Sequence, residues 1–246
     1  RGLMPRAPSG KFSIIYMKHV ILPALLALLL VSAACHPAPR PAESGPPGQT
    51  LVDQAEDLVR RMRSHDRDQA LDVLLAEAKG VIIVPALFRA GYLGGVDMGQ
   101  GLLLASDAAG LYSEPVFLSL GGLNFGMQAG VQRTSGIIFL MSRDSLEAAS
   151  RGALSLDTNL SVAAFTLGEA HSLVMVGQTP EVIAVLNPEG IYGGVALSGS
   201  GMRLDETLLA ARYGKGATAS EVLFERRFYA TPGAEGLQHA LSVYWR

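Results

Sequence analysis

The chain has a single cysteine, Cys35, among 246 residues. No disulfide can close within it, and no cysteine cluster can hold zinc or an iron–sulfur centre. Charge is sparse as well: Asp, Glu, Lys and Arg make up 17% of the residues, with 20 basic against 22 acidic. A nucleic-acid binder shows a basic excess, so that class is set aside. The longest apolar run, Val20–Val31, has 12 residues, short of the roughly 20 a helix needs to cross a bilayer. Catalytic signatures are also missing. Ser198 and Met202 occupy the places around Ser200 where a nucleophile elbow needs glycine. His36, His65, His171 and His239 form no pair at metal-ligand spacing. His65 with Asp66 and Asp68 fits a solvated turn as well as a metal site, and Glu169 with His171 fits a polar turn before a strand. No metal, cofactor or catalytic set is expected, and an enzyme assembled from distant residues is kept as an alternative.

What is present begins with an export signal. Met17-Lys18-His19 precedes the apolar run, and "SAAC" (Ser32–Cys35) closes it with small residues. A short positive region, an apolar stretch and a small-residue site make a secretory signal peptide. Met17 is read as the true start, with residues 1–34 as upstream extension plus signal. The cysteine after Ala33-Ala34 resembles a bacterial lipobox, although Ser32 stands where Leu is usual. That resemblance implies a diacylglycerol thioether on Cys35. His36 follows, rather than the Asp that retains lipoproteins at the inner membrane, so the expected location is the periplasmic face of the outer membrane. Residues 35–50 carry the lipidated cysteine and the proline-rich "HPAPRPAESGPPGQT", a tether. Without residues 1–34 the chain has 16 Lys+Arg against 22 Asp+Glu, a net charge of −6.

Residues 51–246 are read as one domain. Leu51, Ala55, Leu58 and Met62 recur at helical spacing with charges opposite. Asp68 is placed as the cap of a second helix that ends before Gly80. From Val81 onward the pattern becomes short apolar runs separated by Gly, Asp, Asn or Pro, which predicts a sheet-rich body. "RDSLEAASRG" interrupts it with a short helix, and three helical stretches close the chain.

"GYLGGVDMGQG" from Gly91 raises the question of a phosphate loop. It aligns with "GIYGGVALSGSG" from Gly190, so that Gly91, Gly94 and Gly95 match Gly190, Gly193 and Gly194. A phosphate loop needs a following Lys-Ser/Thr or a helix. "LLLAS" follows instead, so these glycines are read as serving backbone shape, in two related parts of one sheet.

"AKGVIIVP" (Ala78–Pro85), the Gly91–Gly101 stretch, "LYSEPVFLSLGGLNFGMQAG", "LSVAAFTLG" and "GIYGGVALSGSGMRLDETLLAARYG" together resemble the SYLF-domain family, over residues 51–228. Tyr112 stands where that family often has Trp, and Phe165–Gly168 replaces a usual Gly-Pro pair. The resemblance implies a non-enzymatic module that meets membranes, with eukaryotic relatives that bind phosphoinositides through a basic amphipathic N-terminal segment. On that model Arg60, Arg61, Arg63, Arg67 and Lys79 become candidate anionic-lipid contacts. Glu56–Arg60 and Asp57–Arg61 are also well-oriented i,i+4 pairs, so a salt-bridged surface explains the helix equally. The expected architecture is α+β: a glycine-rich, largely antiparallel twisted sheet or partial barrel, with helices at the N- and C-terminal ends. The expected function is a lipoprotein that binds or organises phospholipid. An envelope protein that docks a protein partner is the alternative.

Overall fold

In a computed structural model of the chain, residues 45–91, 95–124, 130–154, 162–166, 180–190, 201–228 and 232–243 are described. The amphipathic segment forms helix α1 (Gln49–His65), which buries Leu51, Val52, Ala55, Leu58, Val59 and Met62. It starts at Gln49 because Gly48 takes a left-handed turn there, so the end of the expected tether already belongs to the folded unit. Helix α2 (Ala70–Glu77) follows. The N-cap position is Gln69, whose side chain makes no capping bond, and the carboxylate that serves the first turn is that of Asp66 and not Asp68: it accepts from the backbone N–H of Ala70 (3.2 Å) and Leu71 (2.7 Å). Gln69, in a left-handed conformation, fills the place between, so the carboxylate four residues back is the one in reach.

The strands are β1 (Gly80–Gly91), β2 (Gly95–Ala105), β3 (Val116–Asn124), β4 (Gly130–Leu140), β5 (Val162–Phe165), β6 (Val182–Gly190) and β7 (Gly201–Leu204). They form one sheet in the order β5-β6-β4-β1-β2-β3-β7. Every pairing is antiparallel except β5 with β6. The α+β class and the largely antiparallel sheet are therefore as the sequence predicts. The β4-β1-β2-β3 order is that of a Greek key. Between α2 and the chain's end lie α3 (Arg143–Ser150), α4 (Glu206–Tyr213), α5 (Ala219–Leu223) and α6 (Glu235–Leu241).

Consecutive residues on the central strands are buried because both faces are covered. Val81, Ile83, Leu102, Leu104, Phe117, Ile137 and Phe139 pack under α1, α2 and α6. Ile82, Leu103, Val116, Leu118, Ile138 and Leu140 pack against α3, α5 and Leu209 of α4. Pro85 sits inside a central strand, where it cannot donate to the ladder; the register with both neighbours slips there, making a bulge.

The "LYSEP" stretch is structural. Tyr112 is buried and its hydroxyl donates to the Leu75 carbonyl at 3.1 Å. Burial holds its phenol well above the ordinary value. Ser113 Oγ accepts from Ala105 N–H and donates to the Glu114 carbonyl. Gly91 and Gly95 are register partners at the end of the β1–β2 pair. Gly190 ends β6, and four strands separate β6 from β7, the next described strand; residues 191–200 of the second copy lie outside the described residues. The described residues lie in one compact unit, residues 43–246. Among them, no helix is long and apolar enough to cross a membrane.

Candidate functional site

The basic residues of α1 divide by direction. Arg63 turns inward: it pairs with Asp72 at 2.6 Å and donates to the carbonyls of Ala240 (2.5 Å) and Ser242 (3.0 Å), tying α1 to α2 and α6. Its side chain is 14% exposed, and a guanidinium with this many protein acceptors serves the fold. Arg60 is exposed and pairs with Glu56 at 2.7 Å, the i,i+4 pair the sequence predicts. Helix α1 ends at His65, so Arg67 lies in the following turn and does not continue the Arg60–Arg63 face. Arg61 is exposed; its carbonyl accepts from Ser64 Oγ at 2.7 Å.

Arg61 lines a cavity of about 600 Å³ together with His65, Arg133, Ser135 and Asn187, over an apolar floor of Leu58, Met62 and Pro85. Sequence reasoning did not select Arg133. The available signal was that it is the sole charged residue of β4. Its guanidinium lies 5.8 Å from the centroid of the Phe88 ring, within cation–π range.

Phe88 belongs to an open apolar patch. The bulge at Pro85 changes parity on β1, so Phe88 shares the α1 side with Ile83; their β2 partners are Met98 and Leu102. Phe88 is 51% exposed, Val96 47% and Met98 65%, whereas Asp97 on the opposite face is 1% exposed. Gln132 is buried too. At this end of the sheet large apolar side chains point outward on the α1 side, while Asp97 and Gln132 are buried on the other face beside Leu87 and Leu120. Gly99 and Gly101 let bulged β1 lie close to β2. A Cβ on Gly99 would come within 2.7 Å of the Ala86 carbonyl oxygen, and one on Gly101 within 3.0 Å of that of Ile83. These glycines work by having no side chain.

Lys79 is elsewhere. It precedes β1 at the opposite end of the strand and lines a second cavity with Arg143 and Arg226. Cys35, Gly94, Gly193, Gly194, Glu169, His171 and Ser200 lie outside the described residues. Among the described residues no group of three His, Cys, Asp or Glu could hold a metal ion.

The family model described as Ysc84, Las17-binding protein actin regulator, matches residues 121–244. The chain is 29% identical over 172 residues to the protein YSC84 of Saccharomyces cerevisiae, covering 68% of this chain and 36% of that one. It is 34% identical over 131 residues to SH3 domain-containing protein PJ696.02 of Schizosaccharomyces pombe, covering 52% of this chain and 30% of that one. With the human SH3 domain-containing YSC84-like protein 1 it shares 30% identity over 129 residues, 52% of this chain and 37% of that one. The chain thus spans about a third of the length of these relatives. No solved structure matches it significantly.

Proposed function

The chain belongs to the Ysc84, or SYLF-domain, family, and from that premise we propose that it is a non-catalytic binding module whose open sheet face meets anionic phospholipid. The observation that carries this reading is the exposed apolar patch: Phe88, Val96 and Met98 outward, beside a cavity lined by Arg61 and Arg133. Fully burying a side chain such as Phe or Met contributes roughly 1.5–3 kcal/mol. Each cation near an anionic leaflet adds about 1 kcal/mol. The acidic balance of the whole chain does not oppose this much, because charges beyond a Debye length of about 10 Å are screened. Apolar side chains entering the interface with arginines at headgroup level make one consistent footprint. The anchor belongs to the same proposal: an acylated Cys35 holds the domain at the periplasmic face of the outer membrane. Fractionation should find Cys35→Ala released from membranes; a variant still membrane-bound after signal removal would refute the anchor.

A protein partner on the same face is the second reading. It is favoured by the family's description as Las17-binding, a property of those relatives. Vesicle sedimentation separates the two. The parent should bind phosphatidylglycerol vesicles and largely ignore phosphatidylcholine. Arg61→Gln with Arg133→Gln should weaken binding by tenfold or more, following from about 1 kcal/mol per cation, and the gap should shrink in high salt. A double variant that binds like the parent would remove the lipid reading of this face and leave the protein partner.

A further inference from the structure

The cavity around Lys79 is a separate feature, at the other end of β1 from Phe88. It measures about 500 Å³ and is formed where the start of β1, the end of β2, the start of α3 and the segment after α5 come together. Three cations from three of these elements line it: Lys79, Arg143 and Arg226. Asp107 is the lining carboxylate.

Each cation is held by its surroundings. The Lys79 backbone is clamped between neighbouring strands: its N–H donates to the Leu140 carbonyl at 2.8 Å and its carbonyl accepts from Ser106 N–H at 2.9 Å. Among the described residues the Lys79 ammonium has no carboxylate partner. Arg143 follows the Ser142 N-cap. Its guanidinium lies 4.8 Å from the centroid of the Phe224 ring, and it also pairs with Glu147 at 3.0 Å. Arg226 has φ of 52°, a left-handed backbone that a non-glycine residue adopts at a cost. Strain of this kind persists where the surroundings enforce it, and it gathers at functional sites. Here it accompanies a guanidinium bound to Asp107 (3.0 Å) and to the Leu111 carbonyl (2.6 Å).

Asp107 is already satisfied. One carboxylate oxygen accepts from Ala109 and Leu111 N–H, both at 2.9 Å, and the other pairs with Arg226. It therefore neutralises Arg226, and Glu147 pairs with Arg143, so of the three cations only Lys79 lacks a carboxylate partner among the described residues, in a concavity that Arg143 also lines. In a chain with net charge −2, positive groups converging from separate elements call for an anion. The groups also fit one ligand chemistry. A guanidinium supplies two parallel donors, an ammonium supplies a point charge, and a phosphate with three terminal oxygens accepts from both. A cavity of this size takes more than a bare ion.

We propose that this cavity binds a terminal phosphate monoester, with Lys79 and Arg143 as its principal contacts and Arg226 as the group that shapes the site. The monoester could be a soluble phosphorylated compound or the exposed head of a phosphomonoester lipid. The site is independent of the open sheet face.

The test titrates the purified full chain, at constant ionic strength, with sodium glycerol 3-phosphate and, in parallel, with vesicles containing phosphatidic acid or phosphatidylglycerol. The parent should bind glycerol 3-phosphate if the ligand is soluble. It should bind phosphatidic acid in preference to phosphatidylglycerol, a diester, if the ligand is a lipid. Lys79→Gln and Arg143→Gln should each weaken that binding about tenfold, the scale of one charge-assisted hydrogen bond, and Lys79→Glu should abolish it. Arg203→Gln on β7, and the Arg61→Gln, Arg133→Gln pair, should leave glycerol 3-phosphate binding unchanged. The proposal fails if the parent binds neither probe, or if the Lys79 and Arg143 variants, folded by circular dichroism, bind like the parent.

Discussion

Ile83 and Phe88 stand five residues apart on β1 and face the same side of the sheet, yet Ile83 is fully buried and Phe88 is 51% exposed. The same contrast runs along β2, from the buried Leu102 and Leu104 to the exposed Met98 and Val96. At the helix-covered end, both faces of the sheet are packed and every second-position distinction disappears. At the far end only the face opposite α1 is closed, and Leu87, Asp97, Leu120 and Gln132 are among the side chains buried there. The first arrangement is what a stable core requires. The second leaves apolar area in water and places a carboxylate inside, and neither improves folding. Natural sequences depart from local consistency mainly where function demands it. The covered end is therefore the scaffold, and the open end is where binding is sought.

The largest effect is expected at the covered end. Phe139 is fully buried under the helices on the α1 side. Replacing it with alanine removes its transfer free energy and leaves a cavity, so Phe139→Ala should lose about 3–5 kcal/mol in urea unfolding. A loss below about 1 kcal/mol would mean that this end is loosely packed, and the division between the two ends would collapse.

The scaffold was legible and the site much less so. The 3.6-residue period of α1 and the apolar runs of the strands follow directly from burial, and burial leaves a pattern in local sequence. The capping carboxylate is not legible because Asp66 and Asp68 are chemically equal, and the choice depends on the left-handed Gln69 that follows them. Arg60, Arg61, Arg63 and Arg67 are candidates because the resemblance implies a basic amphipathic N-terminal segment. Spacing cannot tell that Asp72 and two carbonyls near the chain's end would capture Arg63. Arg133 meets Arg61 only because α1 packs over β1 and β4, and that packing across more than seventy residues of chain has no local signature. Nothing around the glycines of Gly91–Gly101 offers phosphate chemistry, which is why the sequence points to backbone shape. Which ones are needed became visible only with the bulge at Pro85, pressing on Gly99 and Gly101.

The smallest effect on stability is expected at the open end, and there it is most informative. Phe88 and Met98 are cross-strand partners, each more than half exposed. Their removal should cost the fold little, because surface substitutions away from caps, pairs and cavities stay within about 0.5 kcal/mol. Phe88→Ser with Met98→Ser should therefore leave the urea midpoint almost where it was. Binding behaves oppositely if these side chains enter an interface. Losing two apolar contacts, each contributing roughly 1.5 kcal/mol or more when fully buried, should weaken phosphatidylglycerol-vesicle binding by tenfold or more. High salt should not restore or remove that difference, because the lost term is apolar and not Coulombic. The Arg61→Gln, Arg133→Gln pair should show the reverse salt behaviour, so the two variants report the two components of one footprint. If the serine pair instead unfolds the chain by more than about 1 kcal/mol, Phe88 and Met98 contribute to the core after all. The open end would then be scaffold like the rest, and binding would have to be sought at another surface.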